Sequence, residues 1–191
     1  MIKDSGERRE FSSGSVRDTA IGKGRCDLLP LGVITGWINT NETLESIGKY
    51  METGDLTNLA NIVDDFTAKV YDCCYETMML DLAKHFENGA KKYSERNWEK
   101  GQPLHVYMDS AIRHYLQYRR GDKDENHGIA FVWNIVCAMW THENLPEMID
   151  LPFKEPTTWE GDPNDFWEYE STLQKVCVDG VCSLKKVEVE E

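Results

Sequence analysis

The chain has 191 residues, 40% of them apolar and including six Trp and eight Tyr, which suffices for one domain with a substantial core and room for appendages. Its 21 Lys and Arg stand against 34 Asp and Glu, a net charge of -13, which argues against nonspecific binding to nucleic-acid polymers. The start, Met1-Ile2-Lys3-Asp4, has no apolar signal region, and no run approaches the roughly 20 apolar residues of a membrane span, so a soluble cytoplasmic protein without membrane contacts is expected.

Residues 1–16 are polar and rich in Ser and Gly, the composition of a mobile arm. Gly22-Lys23-Gly24 follows, with Arg17 and Arg25 nearby. Such a loop either brings amides and cations to a phosphate or simply leads into the core through Leu28-Leu29-Pro30. Asn39-Thr40-Asn41 caps a helix carrying Leu44, Ile47 and Tyr50, which Gly54 ends. Asp55 caps the next, with Leu56, Leu59, Ile62, Val63 and Phe66. From Thr67 the apolar positions Val70, Cys74, Met78 and Leu82 run on into a segment that ends near Ser94. Arg96 to Pro103 is a connector punctuated by Gly101 and Pro103.

A helix over 104–119 then has Met108, Ala111, Ile112, Tyr115 and Leu116 on one face, and a third begins after Asp124-Glu125 with Ile129, Val132, Trp133, Val136 and Trp140. Asp124 and Glu125 also suit a helix start on dipole grounds alone. Residues 150–170 are acidic, with Pro152, Pro156 and Pro163 beside Trp159 and Trp167, and read as an extended arm. Asp179-Gly180 marks a two-residue hairpin turn that sets Cys177 opposite Cys182. None of the six cysteines forms a zinc-ribbon pattern, and Cys137 reads as a small buried hydrophobe. The fold expected is all-α: a compact domain of about five to six helices over 17–145, a flexible arm over 1–16, and an acidic arm over 146–191 ending in a small β-hairpin.

The residues able to do chemistry concentrate between Phe86 and Trp140. If the three helices of that stretch pack together, Glu87, Asp109, His114, Asp124, Glu125, His127 and Asn134 converge. Carboxylates with an occasional imidazole suit Mg²⁺ or Mn²⁺, and a hard divalent ion serves phosphate chemistry. Glu87, Asp109, Asp124 and Glu125 are the candidate metal ligands, and Glu87, His127 and His114 the candidate catalytic groups. Lys23, Arg25, Lys91 and Arg113 are candidate phosphate contacts, while Asn97, Trp98 and Asn134 are candidates to line the rest of the same pocket. Each has a structural alternative: His114 a buried hydrogen bond, Asp109 with Arg113 an ion pair one turn apart, Lys91 a solvated face, Trp98 a core anchor.

Several motifs in order resemble one bacteriophage and prophage family, that of the dATP/dGTP diphosphohydrolase N-terminal domain. They are Gly22-Lys23-Gly24-Arg25-Cys26-Asp27-Leu28-Leu29-Pro30, Phe86-Glu87-Asn88-Gly89-Ala90-Lys91-Lys92-Tyr93, Arg96-Asn97-Trp98-Glu99-Lys100-Gly101, Asp109-Ser110-Ala111-Ile112-Arg113-His114, Gly121-Asp122-Lys123-Asp124-Glu125-Asn126-His127 and Trp133-Asn134. The resemblance covers residues 17–142. It implies hydrolysis of a purine deoxynucleoside triphosphate to monophosphate and pyrophosphate, in a phage or prophage protein acting in a bacterial host. More distantly the chain resembles the all-α MazG-like pyrophosphohydrolases, which hold Mg²⁺ with paired carboxylates three residues apart on two helices and complete their sites in homo-oligomers. Here Ala90 follows Glu87 and Ala130 follows His127 at that spacing. The alternative is therefore a non-catalytic protein that sequesters a nucleotide or another partner on the same helical fold.

Overall fold

A computed structural model of the chain describes residues 6–38 and 40–153, together with the backbone of two strands near the C-terminus. The chain divides into two compact units, Met1–Lys154 and Glu155–Glu191.

In the first unit a hairpin of β1 (Arg8–Glu10) and β2 (Val16–Asp18) precedes a short helix α1 (Leu31–Val33), which continues into a π-helical turn at Ile34–Ile38. Five longer helices follow: α2 (Glu42–Thr53), α3 (Thr57–Val70), α4 (Tyr75–Lys92), α5 (Leu104–Arg120) and α6 (His127–Asn144). The all-α expectation holds. α6 is the central element. Ile129, Phe131, Val132, Ile135, Cys137 and Ala138 are all buried, and apolar residues on every side mark a helix enclosed by others. It packs chiefly on α5, then on α4 and α3. The Phe131 ring lies 5.6 Å from Phe66 of α3 and 5.2 Å from Tyr115 of α5.

The ends of these helices follow local chemistry. Asn41 accepts the Leu44 N–H at the start of α2, and Gly54 closes it in the left-handed region. Asn126 accepts the Ile129 N–H at the start of α6. Gly128 lies where Phe66 approaches so closely that a Cβ would sit 2.9 Å from its ring.

Two stretches differ from the sequence reading. The helical spacing from Thr67 towards Glu87 is interrupted at residues 71–74, where Asp72 and Cys73 take φ of 51° and 60°. Apolar spacing survives a one-turn break, so periodicity alone does not reveal it. Secondly, residues 8–16 are not a loose arm. Asn97 accepts the Val16 N–H at 3.0 Å and donates to the Val16 carbonyl at 2.9 Å, Ser13 donates to the Gly101 carbonyl at 2.7 Å, and Gln102 donates to Ser15 at 2.8 Å. The hairpin is strapped down by side chains some 80 residues away, which local composition does not announce.

The second unit contains an antiparallel pair, β3 (Leu173–Val178) and β4 (Val181–Lys186), with Cys177 opposite Cys182 in register. The turn residues Asp179 and Gly180, like Trp159 and Trp167, lie outside the described residues.

Candidate active site

A cleft of about 720 Å³ opens between β2, the loop that follows it, and helices α4, α5 and α6. Its size is that of a small-molecule site. The loop is fixed from below by Asp109 of α5, which accepts the Cys26 N–H at 2.7 Å and is paired with Arg113 one turn on. Asp109 is 4% exposed, and both its oxygens are committed. Lys23 reaches Asp18 at 3.2 Å.

The cleft inverts the charge of the chain as a whole. Arg9, Arg17, Lys23, Lys92, Arg113 and Arg120 line it, against Asp18, Asp109, Asp124 and Glu125: six cations to four carboxylates. Arg17 is the central one. Its guanidinium donates to Asn134 Oδ1 at 2.7 Å and to Gln102 Oε1 at 3.1 Å, and lies 5.4 Å over both the Tyr107 and Trp133 rings. All of these partners are neutral. Among the described residues no carboxylate pairs with Arg17, and desolvation holds its pKa below the ordinary value. A desolvated cation with no carboxylate paired to it among the described residues leaves positive charge on the cleft wall that an anion would balance. Arg9 adds a second guanidinium whose Nε is buried without a hydrogen-bond partner.

Beside the cations stands a compact imidazole–carboxylate group. His114 Nδ1 and His127 Nδ1 are 3.0 Å apart, and Glu125 Oε1 lies 3.4 Å from the first and 3.5 Å from the second. Behind them His127 Nε2 meets Asp124 Oδ1 at 2.8 Å. His114, Glu125 and His127 are therefore positioned to hold a metal ion, as, more openly, are Asp122, Asp124 and His127. The latter set is weaker, because Asp122 is paired with Arg120 through both nitrogens of its fork. Burial, and then the charge of His127, push His114 down to about 3; burial, and then Arg17, push His85 to about 4. Both imidazoles are neutral at pH 7.

The structure gathers His114, Asp124, Glu125, Asp109, Arg113, Asn134 and Lys23 at this cleft, with His127 just behind its wall. Others lie elsewhere. Glu87 is exposed, pairs with Lys91 at 2.5 Å, and borders a separate hollow with Trp98 and Asn97. Arg25 grips Asp27 through two hydrogen bonds and faces a more apolar cleft near Leu28–Val33. Asn97 spends its amide on β2, and Trp98 packs edge-on against Phe86 and Trp140. Asn134 also has a positioning task, since it donates to the Ala130 carbonyl and presents its oxygen to Arg17. Arg9, His85, Tyr93 and Gln102 are not among the candidate site residues read from the sequence, whereas Lys92, which lines the cleft, reads with Lys91 as a phosphate contact. Their contributions depend on the hairpin and on helix packing.

Among the described residues no helix is long and apolar enough to cross a membrane. No curated protein and no solved structure matches the chain. One family model does match. It spans residues 67–150, which hold α4, α5, α6 and the whole imidazole–carboxylate group, while the hairpin and the glycine loop lie before it. Over that stretch the chain matches the family described as dATP/dGTP diphosphohydrolase, N-terminal.

Proposed function

We propose that the protein hydrolyses purine deoxynucleoside triphosphates to the monophosphate and pyrophosphate in the cleft between β2, α4, α5 and α6. One observation carries the reading: Arg17, a desolvated cation held only by neutral partners, lines a nucleotide-sized cleft together with Arg9, Lys23 and Arg113. A triphosphate supplies the missing counter-charge, in geometry that guanidinium groups read well. Tyr93 and Trp133 add aromatic rings to the lining of the cleft. The family description over residues 67–150 supports the choice of substrate. Activation of the attacking water is assigned to His114, Glu125 and His127, directly or through a divalent cation. A divalent ion held by these residues would neutralise phosphate charge and acidify a bound water.

Sequestration without turnover is the second reading. It is favoured by the excess of cations in the cleft and by the lack of paired carboxylates three residues apart at Glu87 and His127. The two separate in one experiment. Purified protein is incubated with each dNTP and NTP plus divalent ions, and products are resolved by chromatography, for wild type, Arg17→Met and Glu125→Gln. Purine dNMP and pyrophosphate formation, lost in both variants, is the expected result. Tight nucleotide binding with no product from wild type would establish sequestration instead, and neither binding nor turnover would refute the cleft as a nucleotide site.

A further inference from the structure

The donor set beside the cleft is not the one a magnesium enzyme presents, and its geometry is informative. In a tetrahedral site with metal–nitrogen bonds of about 2.0–2.1 Å, neighbouring donor atoms lie roughly 3.3 Å apart. The three atoms here, His114 Nδ1, His127 Nδ1 and Glu125 Oε1, are separated by 3.0, 3.4 and 3.5 Å. These separations are close to three edges of such a tetrahedron.

The protonation pattern agrees. The Asp124 carboxylate accepts from His127 Nε2 at 2.8 Å, which puts the proton on that nitrogen and leaves the Nδ1 lone pair facing His114 and Glu125. A carboxylate behind a ligating histidine is the arrangement that orients imidazoles on metals. Burial is graded: the side chains of His127, Glu125 and His114 are 1%, 11% and 19% exposed. Since His114 and Glu125 line the cleft and His127 does not, a fourth ligand arrives from the cleft side.

We infer that His114, Glu125 and His127 form a two-histidine, one-carboxylate site for a first-row transition ion of the Zn²⁺ and Co²⁺ kind, with one position left for water or a phosphate oxygen. Imidazole nitrogen suits these ions, whereas Mg²⁺ prefers all-oxygen octahedral surroundings and gives up water reluctantly. The use of the ion in hydrolysis rests on the proposed function; its binding does not. The competing arrangement is a plain hydrogen bond in which His114 Nδ1–H donates to His127 Nδ1, and it binds no metal.

The full-length protein is stripped with chelator and titrated with Co²⁺, following visible absorption. The site predicts one Co²⁺ per chain with the strong visible bands of tetrahedral nitrogen–oxygen ligation, displaced by Zn²⁺ but not by millimolar Mg²⁺. Affinity falls at least ~100-fold in His114→Gln and Glu125→Gln, and ~10–100-fold in Asp124→Asn, whose side chain orients a ligand. Circular dichroism and melting confirm that the variants are folded, and Asp124→Asn serves if the others are not, since Asp124 is exposed. Unchanged Co²⁺ binding in the variants, no binding by folded wild type, or near-ultraviolet charge transfer from cysteine ligation would each overturn the inference. Binding lost in the variants while no nucleotide is ever hydrolysed would uphold the metal site and reject the hydrolytic reading.

Discussion

Replacing Arg17 by Met keeps most of the side chain's length and removes its charge, which separates stability from binding. In the ligand-free protein the change gives up two hydrogen bonds from a charged donor, to Gln102 and Asn134, at about 1.5–3 kcal/mol each. It also gives up placement over Tyr107 and Trp133, at about 0.5–2 kcal/mol each. Against this it relieves the desolvation of a cation without a counter-ion, several kcal/mol in the other direction. The terms oppose, so ligand-free stability should shift by a few kcal/mol at most. Nucleotide affinity has no such offset. A lost charge-assisted contact worth about 2.7 kcal/mol weakens binding by about 100-fold.

Thermal melting with the α,β-methylene analogue of dATP, which hydrolysis at that linkage cannot consume, reads both quantities. With ligand at about 100 times Kd, wild type gains about 2.7 kcal/mol. For a protein of this size that raises Tm by roughly 5–11 °C. The variant, at ligand equal to its weakened Kd, gains only about 0.4 kcal/mol, or roughly 1 °C. A ligand-induced shift in Arg17→Met equal to that of wild type would refute the assignment of Arg17 as the phosphate anchor.

Three further outcomes are expected. His85 is neutral in the folded state down to about pH 4, whereas in the unfolded chain it takes up a proton near 6.5, so metal-free stability should fall as pH drops through that window, by up to about 1.4 kcal/mol per unit from this group. His85→Gln should flatten the slope, measured by urea denaturation at stepped pH; an unaltered slope would count against the burial of the ring. Gly128→Ala forces a methyl against the Phe66 ring, where 2.9 Å is available, and should cost about 1–3 kcal/mol in denaturant melts; no loss would mean that α3 and α6 are less closely packed than described. Asn97→Ala removes both hydrogen bonds that clamp Val16, leaving partly buried backbone groups unsatisfied at about 1–3 kcal/mol, and should weaken nucleotide binding although Asn97 does not line the cleft. Calorimetric titration showing wild-type affinity would uncouple the hairpin from the site.

The helical frame was largely legible because its signals are local. Asn41, Gly54 and the Leu104–Arg120 periodicity act within a few residues, and the Cys177–Cys182 register follows from a two-residue turn. Part of the site was legible for the same reason: Asp124, Glu125 and His127 lie within one turn, so their meeting needs only a helix start, and His114 joins them because α5 and α6 are consecutive antiparallel neighbours. The cationic wall was legible only in part: Lys23, Arg113 and the nearby Arg17 read as possible phosphate contacts, whereas Arg9 did not. Arg9 and Arg17 sit directly across from each other in a hairpin of three-residue strands, too short to show alternation; of its anchors, Gln102 read only as a connector residue and Asn97 as a ligand contact, not as a clamp on the hairpin. Glu87 was suggestive beside a half-buried Phe86, yet a helix turns 100° per residue, and that step carries its carboxylate to solvent and Lys91.

The most direct test of the central claim is a crystal structure of the protein with the methylene analogue of dATP bound. The account predicts the triphosphate against Arg17, with Arg9, Lys23 or Arg113 completing its contacts and the imidazole–carboxylate group within reach of the phosphates. A nucleotide seated instead in the apolar cleft near Leu28–Val33, or beside Glu87 and Trp98, with Arg17 untouched, would contradict it.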